Sequence, residues 1–236
     1  MQLLRSLVYT LFFLLFTFLW AVLFVLVSPL LSWQRRFAMA RTWGNVLLGA
    51  LRLICGLGYV VEGRENIPRG EACVALVKHS SAWETFAQAA LLPPQVWVLK
   101  HELLWIPVVG WGIRQLRAIA IDRGARGAAV RQMIEQGRDR LARGMWIVVF
   151  PEGTRMQPGQ TRPYGVGGAA VAAAAGARIL PVAHNAAYFW PRRGLLKRPG
   201  IIRVVIGAPV ATLGREPRQI NEEVQRFIEA HSGPPA

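Results

Sequence analysis

The chain is poor in cysteine, lysine and acid. Two cysteines in 236 residues, Cys55 and Cys73, form neither a CxxC pair nor a His/Cys cluster with metal-ligand spacing. A disulfide-stapled miniprotein and a zinc module are thereby excluded, and a reduced, cytoplasm-facing setting is expected. Neither a GxSxG nucleophile elbow nor a P-loop is present, which removes the α/β-hydrolase and P-loop nucleotide-hydrolase classes. The glycine run at Gly165-Val166-Gly167-Gly168 mimics a dinucleotide fingerprint but follows Pro163-Tyr164 rather than a strand, so it reads as a helix entry with close packing. Acidic residues number 13 against 28 Lys+Arg, a formal net charge of +15. Only Lys78, Lys100 and Lys197 are lysines; every other cation is Arg. In such a chain, Lys78 and Lys100 point to sites that want a compact ammonium.

What is present is apolar. A 53% hydrophobic and 17% charged composition excludes a disordered chain, and 236 residues suffice to bury a core. Mean hydropathy is +0.30, high for a soluble domain, and the excess sits at the N-terminus. From Ser6 to Gln34 there is no charged residue, a stretch long enough to cross a bilayer. It exceeds the apolar core of a secretory signal, and Ala38-Met39-Ala40 lies beyond the basic pair Arg35-Arg36. Arg35, Arg36, Arg41 and Arg52 follow it while only Arg5 precedes it, which places the body on the cytoplasmic side. Pro29 ends or kinks the first helix, and a second apolar run at 43–57, interrupted by Arg52, reads as an interfacial amphipathic helix. The division is therefore residues 1–57, a membrane-anchoring segment that spans or forms a two-helix hairpin, and residues 58–236, the catalytic domain. With an anchor present, the basic excess reads as attraction to anionic lipid. No module interleaves basic and aromatic residues in the manner of nucleic-acid binding, so nucleic acid is not an expected partner.

In the second part, short β-branched runs at 59–62, 72–77, 96–99, 118–121, 146–150, 179–183 and 202–206 alternate with helical stretches at 82–92, 125–143, 166–177 and 217–231. The pattern predicts an α/β fold with a mixed, largely parallel sheet flanked by helices. Five of these strands are followed by polar groups: Lys78-His79, Lys100-His101, Asp122-Arg123, the run from Pro151 to Arg155, and His184-Asn185. In open α/β sheets that edge binds ligands.

Three constellations stand there. In KHSSAWET, residues 78–85, His79 and Glu84 are too far apart to share a helical face. They can meet if His79 lies in the loop and Glu84 in the first helical turn, where the carboxylate would fix the imidazole tautomer and leave the other nitrogen basic. Ser81-x-x-Glu84 is equally a helix capping box, and the two readings are compatible. In FPEGTR, residues 150–155, the turn can offer backbone N–H groups and Arg155 a fork for phosphate; a tight turn with a solvated arginine is the plain alternative. Lys100 and Arg123 are the third set, as anion ligands, with Asp122 a partner for Arg123. His184 reads as a supporting group rather than a base.

Taken in order, these blocks resemble the PlsC-type 1-acyl-glycerol-3-phosphate acyltransferases over about residues 63–209. KHSSAWET is similar to that family's His-x4-Asp motif. The stretch LKHELLWIPVVGWGIRQLRAIAIDR at 99–123, FPEGTR, and LPVAHN at 180–185 are similar to its second, third and fourth blocks. Most of the family carries Asp where this chain has Glu84, which keeps the carboxylate and adds a methylene.

The resemblance implies acyl transfer from an acyl thioester to the sn-2 hydroxyl of lysophosphatidate. His79 would be the general base and Glu84 its orienting partner. Lys100, Arg123, Glu152, Gly153, Thr154 and Arg155 would hold the glycerol phosphate, with Glu152 ordering the turn or bonding the glycerol. No cofactor or metal is implied; acyl-CoA or acyl carrier protein serves as co-substrate. Membrane lipids are the other partners, at the cytoplasmic face of a bacterial inner membrane. Another lysolipid acceptor, a non-catalytic lipid-binding protein and a thioester hydrolase remain as alternatives.

Overall fold

The computed structural model describes residues 1–122 and 126–235; of Arg126 only the backbone is described. Helix α1 (Gln2–Val27) runs through the leucine- and phenylalanine-rich segment and stops at a 3-10 turn containing Pro29. Helix α2 (Trp33–Cys55) begins at Ser32, whose Oγ accepts the Arg35 N–H, and ends at Gly56 with φ of 69°, the left-handed geometry that suits glycine.

This second helix starts ten residues before the apolar run at 43–57 expected from sequence. Arginines broke the apolar pattern, yet two of them are satisfied inside the protein. Arg36 donates to the Ser28, Leu31 and Gln115 carbonyls, and Arg41 donates to those of Ala89 and Leu92. Nor does α2 offer its apolar stripe to a membrane interface. Phe37, Ala40, Gly44, Leu47, Leu51 and Cys55 recur every three or four residues and are buried against the body. At Gly44 a Cβ would come within 2.7 Å of the Phe86 carbonyl oxygen, so glycine lets two helix backbones touch.

The body is a seven-stranded sheet. Its strands are β1 (Leu57–Glu62), β2 (Val74–Val77), β3 (Gln95–Lys100), β4 (Ile119–Ile121), β5 (Trp146–Val149), β6 (Ile179–His184) and β7 (Gly200–Ile206), in the order β1-β7-β6-β2-β5-β3-β4. All neighbours are parallel except β6 and β7. Strands β6, β2, β5, β3 and β4 therefore run one way and deliver all five polar strand ends to one edge.

The central strands are buried on both faces, which is why they read as continuous apolar runs. Ala75, Val77 and Val148 face α2 and helix α3 (Glu84–Leu91). Val74, Leu76, Ile147 and Val149 face α5 (Arg126–Ala142), α6 (Gly167–Ala175) and α7 (Pro217–Ala230). The glycine run does serve close packing: a Cβ on Gly168 would lie 2.6 Å from Leu76, and one on Gly167 2.8 Å from Met133 Sδ. Helix α4 (Val109–Gln115), absent from the sequence reading, lies between β3 and β4 and packs on α1.

Helix α1 lies along the body. Tyr9 Oη donates to the Leu47 carbonyl at 3.2 Å, and Trp43 Nε1 reaches Thr17 Oγ1 at 3.2 Å. Lys197, buried in the basic loop, donates to the Ser6 carbonyl at 3.3 Å and to Thr10 Oγ1. The opposite face, with Leu4, Leu11, Leu15, Leu19 and Leu26, is exposed.

Candidate active site

His79 follows β2 and faces an open cavity of about 620 Å³. Its Nδ1 lies 2.9 Å from Glu84 Oε1. Glu84 is fully buried, and its carboxylate also accepts the N–H groups of Ser80 and Ser81, each at 2.9 Å. Burial alone would raise the Glu84 carboxyl. The His79 hydrogen bond, the two neighbouring imidazoles and the Ser81 N–H outweigh it and hold the group below its ordinary range. An ionised carboxylate only accepts, so Nδ1 of His79 carries the proton and Nε2 is left as the basic nitrogen. Glu84 opens α3 and accepts the Ser81 N–H, so the carboxylate that meets the imidazole also ties down the chain that leads into the helix.

The backbone of His79 is clamped by the third block. Glu152 Oε2 accepts its N–H at 2.6 Å, and Met156 N–H donates to its carbonyl at 2.7 Å. The Phe150 ring stacks on the imidazole at 4.2 Å between centroids. Residues 150–156 therefore fix where the histidine stands, while Glu84 fixes which nitrogen is basic.

Glu152 is itself held by a buried cation. Lys78 Nζ lies 2.7 Å from Glu152 Oε1 and 2.7 Å from Glu229 Oε2, and donates to the Gln160 carbonyl at 3.1 Å. Tyr164 Oη donates to Glu229 at 2.8 Å. Burial pushes the Glu152 carboxyl up, Lys78 and the His79 N–H pull it down, and Glu229 raises it again, leaving it at about 7. The compact ammonium expected at Lys78 is thus engaged with two carboxylates rather than with a ligand. Glu152 is engaged with the His79 N–H and with Lys78, and it is not among the residues that line the cavity. Glu229 comes from the far end of the chain, and nothing in the sequence marks it.

His184 is also accounted for. The Ala186 N–H donates to its Nδ1 at 3.3 Å, so Nε2 carries the proton and donates to the Lys78 carbonyl at 2.9 Å. Burial lowers its pKa and keeps the ring neutral. It is the supporting group expected from sequence.

The cavity mouth is cationic. Lys100, Gly153, Thr154 and Arg155 line it, together with Arg192 from the basic loop, which sequence reasoning did not assign to the site. Arg192 donates to the Arg155 carbonyl at 3.0 Å. Gly153 takes φ of 69°, which turns the chain so that the following residues reach the cavity. Arg123 lies outside the described residues, as does the expected pairing of Asp122 with it. Behind the mouth the walls are apolar: Trp20, Ala21 and Phe24 of α1, Ala40 and Trp43 of α2, Trp97 of β3, and Ile113 and Leu116 near α4. Among the described residues no group of three or more His, Cys, Asp or Glu could hold a metal ion.

Comparison with known proteins places the chain in a family. Residues 58–185 match the family model described as Acyltransferase. The chain is 41% identical over 210 residues to the 1-acyl-sn-glycerol-3-phosphate acyltransferase of Pseudomonas aeruginosa, covering 89% of this chain and 81% of the relative. It is 27% identical over 216 residues to the protein of the same name from Cocos nucifera, covering 89% and 67%. The crystal structure of the 1-acyl-sn-glycerophosphate (LPA) acyltransferase PlsC from Thermotoga maritima shares the fold, with a TM-score of 0.80 at 24% identity over 98% of this chain and 95% of that one. The matched segment carries the His79–Glu84 pair and the turn that clamps it, and on this sequence similarity the chain belongs to the acyltransferase family.

Proposed function

We propose that the protein transfers an acyl chain from an acyl thioester, acyl-CoA or acyl carrier protein, to the sn-2 hydroxyl of lysophosphatidate, giving phosphatidate for phospholipid synthesis. The observation that carries the reading is the His79 Nδ1–Glu84 contact beside a mainly apolar cavity whose lining also includes Lys100, Arg155 and Arg192. His79 Nε2 takes the hydroxyl proton as the oxygen attacks the thioester carbonyl. Glu84 stabilises the imidazolium that forms, and the thiolate leaves and collects the proton from His79. Base catalysis of this kind contributes about 10²–10⁴-fold. Lys100, Arg155 and Arg192, which line the cavity, hold the phosphate, the family resemblance adds Arg123 to the set, and the apolar walls take an acyl chain. Gly153 and Thr154 shape the turn that brings Arg155 there, and Glu152 orders it. No cofactor or metal enters the scheme.

In the division into an anchoring segment, residues 1–57, and a catalytic domain, residues 58–236, α1 is the part that meets the membrane and α2 ties it to the catalytic body. The exposed leucines of α1, with its inner face tied to the body, favour seating along the membrane surface at the cytoplasmic leaflet. Seating there spares complete extraction of lipid substrate and product, which costs about 0.8 kcal/mol per exposed CH₂. The test is product identity. Purified protein is given labelled lysophosphatidate and either donor; phosphatidate supports the reading. A different acylated lysolipid or free fatty acid as the main product would replace it with another acceptor or with hydrolysis.

A further inference from the structure

Between β3 and β4 the chain makes an apolar segment whose outward face the proposed reaction does not use. It begins with a 3-10 turn, His101–Trp105, and continues into α4. Leu103, Val109, Ile113 and Leu116 point into the cavity. Trp105, Ile106 and Trp111 point out; Trp105 is 69% and Trp111 53% exposed. Large aromatic side chains turned to solvent on a folded body are informative, since core packing could have hidden them. Between them Val108 holds φ of 63°, a conformation β-branched residues seldom adopt. The surrounding chain thus keeps this turn in one shape, with apolar side chains on both of its faces.

The surface adjoins α1. A Cβ on Gly112 would touch the Phe24 ring at 3.4 Å, and α4 packs against the C-terminal half of α1. One lip of the cavity is therefore α1, with Trp20, Ala21 and Phe24 inward and Phe18, Leu19 and Leu23 exposed. The other lip is the 101–115 segment, with the same inward and outward division. Around it Lys100, Arg114 and Arg117 are exposed, with the acids Glu102 and, past the end of β4, Asp122 beside them, and the Arg114 guanidinium lies 5.8 Å from the Trp105 ring centroid. Tryptophan bodies beside basic heads suit the boundary between headgroups and acyl chains of an anionic bilayer.

We propose that the 101–115 segment is a second membrane-contacting element. Trp105, Ile106 and Trp111 enter the leaflet that receives α1, so that the cavity opens toward lipid between two inserted lips. The proposal rests on the seating of α1 described above, and its test separates the two.

Cys55 and Cys73 are buried, so single cysteines introduced at the surface can be labelled selectively. The environment-sensitive fluorophore NBD is placed, one site per full-length protein, at Trp105→Cys, Trp111→Cys, Leu15→Cys on α1, and Leu213→Cys. Leu213 is 83% exposed and lies near Val210, at the opposite edge of the sheet. Each protein is moved from detergent onto phosphatidylcholine vesicles containing phosphatidylglycerol, with and without lipid-borne nitroxide quenchers. Labels at 105, 111 and 15 are expected to shift to the blue and be quenched from the lipid side, while 213 stays aqueous. Insertion at 15 with aqueous labels at 105 and 111 would overturn the proposal and leave the seating of α1 standing. Aqueous labels at all three would overturn both. A blue shift at 105 that follows protein concentration without vesicles would assign the surface to a second copy of the chain instead and overturn the proposal.

Discussion

Glu152 accepts the backbone N–H of His79 at 2.6 Å, and that contact joins two sequence blocks more than seventy residues apart. The proposed base therefore depends on a turn that sits beside it without sharing its chemistry. Glu152→Ala leaves a buried donor unmet, at a cost of about 1–3 kcal/mol, and frees the loop to move. A misplacement of about 1 Å can cost about 10²-fold in rate. The expected outcome is a fall in kcat toward that size with KM for lysophosphatidate little changed, read by steady-state kinetics beside a thermal melt.

Glu229 extends the same support to the C-terminal helix. Its negative charge is one cause of the raised Glu152 carboxyl, which stands at about 7. As pH falls through that value Glu152 takes a proton and its ion pair with Lys78 is lost, so activity should weaken on the acid side. In Glu229→Gln the like charge is gone and Lys78 pairs with Glu152 alone, so the Glu152 carboxyl ionises at lower pH. The acid limb of the kcat profile should move to lower pH. A limb that does not move would detach this cluster from turnover.

Glu84 supports both the helix start and the imidazole. Glu84→Gln keeps the shape and removes the charge, so His79 loses its fixed tautomer; kcat should drop about 10²–10⁴-fold. Glu84→Asp withdraws the carboxylate by a methylene from three donors it now meets at 2.9 Å, and should retain more activity than Gln. The pH dependence of stability has a definite sign. The folded carboxyl is held below its ordinary value of 4.5, so its contribution is present above that value and is lost as pH falls through the folded pKa. Denaturant midpoints of wild type should decline over that window, and those of Glu84→Gln should lack this component.

The apolar walls set which chains fit. Ala21→Phe narrows the cavity from the α1 side. Each methylene denied burial costs about 0.8 kcal/mol, so long-chain thioesters should lose kcat/KM more than short ones. A donor series from medium to long chains reads this directly.

Much of this was legible in the sequence where a local rule operates. The strands are short β-branched runs, and the parallel sheet brings their polar ends to one edge, which is why His79, Lys100 and Arg155 share a cavity. What escaped detection depends on distant partners. The start of α2 was hidden by Arg36 and Arg41, whose charges resemble a break in an apolar run until the carbonyls they bind are seen. Helix α4 is seven residues with two glycines, Gly110 and Gly112, and carries no helix signal; Gly110 sits where a Cβ would meet the Leu104 carbonyl at 2.3 Å. Arg192 and Glu229 reach the site or its support from loops and a helix that no spacing rule connects to it. The antiparallel β7 reads the same as its parallel neighbours, because both are apolar β-branched strands.

The central claim is that His79 is the base for acylation of lysophosphatidate. The most direct measurement compares wild type with His79→Ala, both shown folded by near-ultraviolet circular dichroism, using labelled lysophosphatidate and a saturating acyl thioester. The account predicts phosphatidate from wild type and a loss of about 10²-fold or more in His79→Ala, with substrate binding kept. Near-normal phosphatidate production by folded His79→Ala would contradict it.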